Sequence, residues 1–374
     1  MDIDSLPLIS ADSHVEEDDS FFHDALPASM RDRLPLGMRP RADIAGDFGD
    51  RIGVADSTGD KAAVAGERAR SSHGELGRGR ANDVAGRTEV MIEDGVRGEC
   101  IFPSRGLSVW NTDDAELGRA CCEIYNDWIA DTLESRSTRF RCAGLIPTWK
   151  IDQAIAEVER IHGLGLASAM LPLVGTPDYN RREWTPLWEA IQDTGMPVVM
   201  HQGTGHDMLF YRSRGAAVAN LLATQSMAPR TAGLLATSGA LAEHPDLHFV
   251  FVETNAAWIS WAMATLDFYY DSFQEYEGWV RPILPEKPGY YIARQVHGTF
   301  QYDPVAVTAI AHTGAAPLLW GNDFPHAEGT YPHSRKIVRE LMHGLESRDA
   351  ARIVGGTAAQ LFAFAPEVLG TAPE

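Results

Sequence analysis

With 374 residues, 44% of them hydrophobic and 22% charged, the chain has the makeup of a folded globular protein, long enough for two average domains or one large α/β barrel. Its 32 basic and 52 acidic side chains leave a formal charge of −20, a field that repels polyphosphate backbones and anionic lipid surfaces, so neither nucleic acid nor membrane is expected as a partner. The four cysteines, Cys100, Cys121, Cys122 and Cys142, show no C-x-x-C spacing, and the acidic opening lacks a basic and apolar leader; a soluble cytoplasmic protein is expected.

In chain order, residues 8–11 form the first of eight short apolar runs that read as strands. Residues 35–86 then break the pattern, being rich in Gly, Asp, Arg and Ala without apolar periodicity. They read as a loop insertion after the first strand, serving as a surface excursion or as a lid or dimer arm. Strands are expected at 99–103 and 142–147, followed by helices at 114–135 and 152–163. In the second of these helices Ile151, Ala154, Ile155, Val158 and Ile161 share a face.

The runs at 167–172 and 197–201 flank a helix at 182–194, and their nearly continuous Val, Leu and Met content suits strands buried on both faces. One long helix is expected over 217–242, then a strand at 247–253 and a helix at 256–273, which overlaps an aromatic, acidic, proline-bearing loop over 269–289. Strands at 295–300 and 317–321, with helices at 303–313 and 335–345, complete the series. Strand–helix alternation numbering near eight predicts a (β/α)8 TIM barrel, here one domain over residues 1–374, with a doubly wound open sheet as the alternative.

Three of the expected strand ends carry metal-type ligands. Asp12 and His14 are two apart, hence on one side of an extended strand; His201 stands where the fifth apolar run stops before Gly203; Asp323 lies just past the eighth run. Singly, such residues also begin turns, sit in cores or cap helices. A closed barrel gathers strand ends around one mouth, and two imidazoles with two carboxylates suit one divalent ion such as zinc or manganese, with a position left open. The chain has only four lysines, Lys61, Lys150, Lys287 and Lys336, and none in the fourth strand, so a carbamate bridging two metals is not expected.

The D-x-H opening, V-V-M-H-x-G at strand five, H-P-D-L at His244–Leu247 leading to Glu253 and Trp258, and the closing W-G-N-D-F-P-H-x-E-G-T resemble the amidohydrolase-related family of metal-dependent decarboxylases and hydrolases. The resemblance covers most of the chain outside the insertion, and extends to the last helix around Arg352–Phe362. It implies a distorted barrel, one divalent ion held by Asp12, His14, His201 and Asp323, and a homo-oligomer, by default a dimer. Many decarboxylases of that family carry a histidine at the end of strand six; this chain has Glu253, which becomes a catalytic candidate in its place. The family's G-G-N-A is Gly355-Gly-Thr-Ala here.

Further candidates are His326 and His297 for proton transfer, and Glu328, Arg105, Arg212 and Arg214 for substrate contact, although arginines on loops more often only solvate a surface. The leading expectation is nonoxidative decarboxylation of a hydroxylated aromatic or enol-like carboxylic acid, with Asp323 protonating the carbon that loses CO2. Hydrolysis of an amide, ester or lactone is the alternative, and a non-catalytic small-molecule-binding barrel the third. Serine-hydrolase and dinucleotide-binding readings lack G-x-S-x-G and G-x-G-x-x-G motifs.

Overall fold

A computed structural model describes residues 3–40, 79–205, 211, 213–276 and 278–370. Eight strands follow one another around a single parallel sheet in chain order: β1 (Leu8–His14), β2 (Val96–Phe102), β3 (Phe140–Leu145), β4 (Ser168–Val174), β5 (Val198–Gly205), β6 (Phe249–Val252), β7 (Val296–Phe300) and β8 (Leu318–Trp320). All eight runs expected as strands are strands. Their continuous apolar character has its reason in burial: β4 and β6 are buried along their whole length, one face toward the barrel axis and the other under helices.

The helices between them supply that cover. Ile151–Gly163 turns Ala154, Val158 and Ile161 inward, as its periodicity requires. The helix expected over 217–242 is instead three, Ala216–Gln225, Met227–Thr237 and Ala240–Glu243. Pro229 has no N–H and its ring crowds the carbonyl four residues back, so the chain restarts near Ser226; Gly239, at φ +91°, makes the second break. Likewise the helix expected at 303–313 divides into Pro304–Thr308 and Ile310–Thr313. Pro288–Gln295, at the end of the stretch read as irregular, is helical with proline in its first turn.

The insertion is described only at its margins, and the proposed lid or arm at 41–78 lies outside the described residues. Its last residues belong to a helix, Val84–Asp94, whose N-terminus is capped by the Asp83 carboxylate accepting from Gly86 N–H and whose C-terminus ends at Gly95, φ +74°. Arg87 of this helix is wholly buried; its Nε donates to Glu99 at 2.5 Å and its Nη1 to the carbonyls of His14 and Ala81 at 2.7 Å each. A charged side chain thereby ties β1 to β2 beneath the mouth.

Closure of the barrel is made by the segment after β8. Asp323 N–H donates to Asp12 O (2.8 Å) and His14 N–H to Phe324 O (2.7 Å), so the chain past Trp320 runs as a parallel neighbour of β1. Gly321 permits that approach, since a Cβ there would stand 2.5 Å from the Asp12 Cβ. The seam therefore carries Asp12, His14 and Asp323 side by side.

Candidate metal centre

Asp12, His14, His201 and Asp323, distant in sequence, meet at the C-terminal mouth of the barrel and are buried. His14 Nε2 lies 3.1 Å from His201 Nε2, 3.5 Å from Asp12 Oδ1 and 3.7 Å from Asp323 Oδ1. Each imidazole has its other nitrogen against a main-chain carbonyl: His14 Nδ1 to Pro103 O and His201 Nδ1 to Gln202 O, both at 2.8 Å. These carbonyls hold the protons on Nδ1 and leave two Nε2 lone pairs facing one another.

Such an arrangement lacks a hydrogen bond and calls for a shared cation. Two ligand atoms, each about 2.1 Å from one ion, stand about 3.0–3.4 Å apart at ordinary coordination angles, the spacing of the two imidazoles here. Asp12 Oδ1 and Asp323 Oδ2 are buried without a hydrogen-bond partner, the condition of carboxylate oxygens waiting for a metal. The donor set fits a divalent ion.

Burial shapes the electrostatics in the same sense. It pushes the imidazoles down, His14 well below its ordinary value and His201 to about 3 with His14 adding to the effect, so both are neutral. The carboxyls move up, again first by burial: Asp12 is raised, and Asp323 and Glu253 are raised well above the usual carboxylate range, with neighbouring acids adding to both shifts. A bound cation would oppose the rise of these carboxyls.

Glu253 stands just beyond β6, its backbone at φ +58°, and Asp323 is at φ +52°. Non-glycine residues in this left-handed region are strained, and at a strand end the bend turns a side chain into the mouth. Glu253 Oε2 is 3.2 Å from His201 Nε2, while Oε1 accepts from Gln202 Nε2 at 2.6 Å and Gln202 Oε1 in turn accepts from Thr224 at 2.8 Å. His326 donates through Nδ1 to Asp323 Oδ1 at 2.9 Å, lies with its ring centre 4.3 Å from that of His14, and has Nε2 3.4 Å from Ser104 Oγ.

The remaining candidates fall elsewhere. Glu328 is exposed, yet its charge acts on Asp323 and Glu253. Arg105 pairs with Asp19 and donates to the Arg39 carbonyl, so clamping a substrate would require it to leave both. Arg214 is exposed on the loop after β5, and Arg212 lies outside the described residues.

His297 is not brought into the cluster. It lies two residues before Thr299 on β7, toward the opposite end of the strand, and spends Nδ1 on Ala316 O (2.9 Å) and Nε2 on His248 Nδ1 (3.0 Å). Burial, reinforced by His248, pushes it to about 3 from an ordinary 6.5. The unfolded chain therefore binds a proton there below about pH 6.5 that the native chain refuses, and stability falls on acidification by about 1.4 kcal/mol per pH unit. His297→Gln is expected to flatten the fall in urea-unfolding free energy between pH 6.5 and 5 by that slope; parallel curves for variant and wild type would refute the assignment.

Residues that the sequence reading passed over hold the clustered side chains in place. Gln301 Nε2 (2.9 Å) and Thr299 Oγ1 (3.2 Å) donate to Asp12 Oδ2, leaving Oδ1 to face the site, and Thr299 Oγ1 also accepts the Glu253 N–H at 2.7 Å. Asn322 Oδ1 accepts from Ser10 and Ser13 and steadies the turn into Asp323. Gln301→Leu is expected to weaken divalent-metal binding about tenfold without altering the fold, as measured by chelator competition.

A (β/α)8 barrel with a His/Asp/Glu cluster at its mouth defines the class. A family model described as amidohydrolase matches residues 73–364, and the chain belongs to that family. Comparison with curated proteins finds no match.

Among solved structures, 5-carboxyvanillate decarboxylase from Sphingomonas paucimobilis is similar at 23% identity and a TM-score of 0.70, covering 96% of this chain and 100% of its own. An amidohydrolase from Mycobacterium avium subsp. paratuberculosis K-10 is similar at 18% identity and a TM-score of 0.74, with coverage of 96% and 99%. A dihydroxybenzoic acid decarboxylase from Polaromonas sp. JS666, solved with bound manganese and 2-nitroresorcinol, is similar at 17% identity and a TM-score of 0.65, with coverage of 98% and 100%. These likenesses establish the barrel expected from the sequence.

Proposed function

We propose that the chain is a metal-dependent nonoxidative decarboxylase of a hydroxylated aromatic or enol-like carboxylic acid. The observation that carries this reading is the convergence of two lone-pair-bearing imidazoles with two orphaned carboxylate oxygens, beside an Asp323–His326 pair. Similar folds that act as decarboxylases of hydroxylated benzoates add support. One divalent ion, zinc or manganese, held by Asp12, His14, His201 and Asp323, supplies a Lewis acid and a template for adjacent substrate oxygens.

The protein's own part is proton delivery. As the bond between ring carbon and carboxylate breaks and CO2 leaves, the electron pair stays on carbon, and the proton of Asp323 forms the new C–H bond. His326, bonded to Asp323 Oδ1 and partly exposed, returns a proton from solvent. Burial of the mouth keeps competing water away from the carbon. The four cysteines are buried and free, in keeping with a reducing cytoplasm, and no described helix is long and apolar enough to cross a membrane. A homodimer belongs to the same reading, supported by exposed Trp261 and Phe268 along the helix Trp258–Phe273.

Incubation of the metal-loaded protein with a panel of hydroxybenzoates, with CO2 and the decarboxylated phenol both measured, tests the reading. Equimolar release of the two is expected. A second reading, hydrolysis of an amide, ester or lactone, is favoured by one observation: Glu253 places a carboxyl where the resemblance led us to expect an imidazole. Cleavage of lactones or anilides without CO2 release would establish it instead.

A further inference from the structure

The side chain of Glu253 is built into the cluster more firmly than an outer acid or base requires. Its Oε2 approaches His201 Nε2 to 3.2 Å, nearly the separation between the two imidazoles, and Glu253, His14, Asp323 and His326 offer donor atoms that all lie within 4.8 Å of one another. His201 places its proton on Nδ1, against the Gln202 carbonyl, so its Nε2 presents a lone pair to Glu253 Oε2. His14 Nε2 and Glu253 Oε2 thus both approach the lone pair of His201 Nε2, at 3.1 and 3.2 Å.

Everything around Glu253 aims Oε2 at that point. Gln202 Nε2 occupies Oε1, Thr224 holds Gln202 from the helix Ala216–Gln225, and Thr299 Oγ1 takes the Glu253 N–H. That same Thr299 hydroxyl donates to Asp12 Oδ2, so one hydroxyl meets both the Asp12 carboxylate and the Glu253 backbone. The left-handed backbone at Glu253 is the strain spent on this aim.

We infer that Glu253 is a direct ligand of the ion, giving a shell of three carboxylates and two imidazoles that favours a six-coordinate, oxygen-preferring cation such as Mn2+ relative to tetrahedral Zn2+. This rests on the metal-centre reading above. Zinc in protein sites is satisfied by four ligands, whereas manganese accepts octahedral, oxygen-rich shells. Zn2+ still binds more tightly in absolute terms, as the Irving–Williams order requires. Glu253 narrows the gap.

The test is the ratio of Mn2+ to Zn2+ affinity, measured by chelator competition on metal-stripped wild type and Glu253→Gln, with the paramagnetic resonance spectrum of bound Mn2+ as a second readout. The amide keeps the bond to Gln202 and loses the anionic donor. Mn2+ affinity is expected to fall about 100-fold and Zn2+ affinity tenfold or less, with an altered Mn2+ spectrum.

Equal losses for both ions, or none, would overturn the inference and leave Glu253 an outer group. If Glu253→Gln fails to fold, Glu253→Asp, which keeps the charge but falls one methylene short, is expected to move the ratio in the same direction. Wild type that takes up neither ion would instead overturn the metal centre itself.

Discussion

His201→Ala is expected to purify as a folded protein holding less than about a tenth of an ion per chain and showing no measurable turnover. His201 is one of the two imidazoles in the proposed ligand set, and its Nε2 is the atom that both His14 and Glu253 approach. Without it, Asp12, Asp323 and Glu253 form a buried group of acids, and the cheapest state for such a group is protonated and empty. Elemental analysis of the purified variant, with thermal unfolding as the control for folding, reads this directly. A full complement of metal in the variant would remove His201 from the ligand set.

Asp323→Asn separates binding from chemistry. The amide keeps an oxygen and the bulk of the side chain, so at least half of the metal is expected to remain, while kcat falls about 1,000-fold, within the range for loss of a general acid. Its two oxygens are differently placed: Oδ1 is tied to His326, and Oδ2 is buried without a partner. Only the ionisable group can pass a proton from the first environment to the second. A loss of less than tenfold at full metal occupancy would assign the proton to another group.

The architecture was legible because strands buried on both faces are apolar throughout, as Phe249–Val252 and Val198–Met200 are. Less legible were the breaks. Pro229 interrupts an apolar pattern that continues on both sides of it, so periodicity alone runs 217–242 together. His297 shows the limit at the level of sites: its place on β7 suited a proton carrier, yet a residue two steps nearer the start of a strand belongs to a different layer of the barrel, and both its nitrogens are spent there. Arg105 followed a strand end as a substrate clamp would, but the nearby Asp19 takes its guanidinium.

From residue types and spacing alone came the eight strands, their order, and the four side chains at three strand ends, since each depends on chemistry local to a few neighbours. Which oxygen of Asp12 is held and which is left bare, the turning of Glu253 toward His201, and the tie of Arg87 to the His14 carbonyl depend on barrel closure, which joins β8 to β1 across the whole chain. Hydrogen bonds are short-ranged and directional, so a partner hundreds of residues away leaves no local pattern to read. The tertiary structure alone decides them.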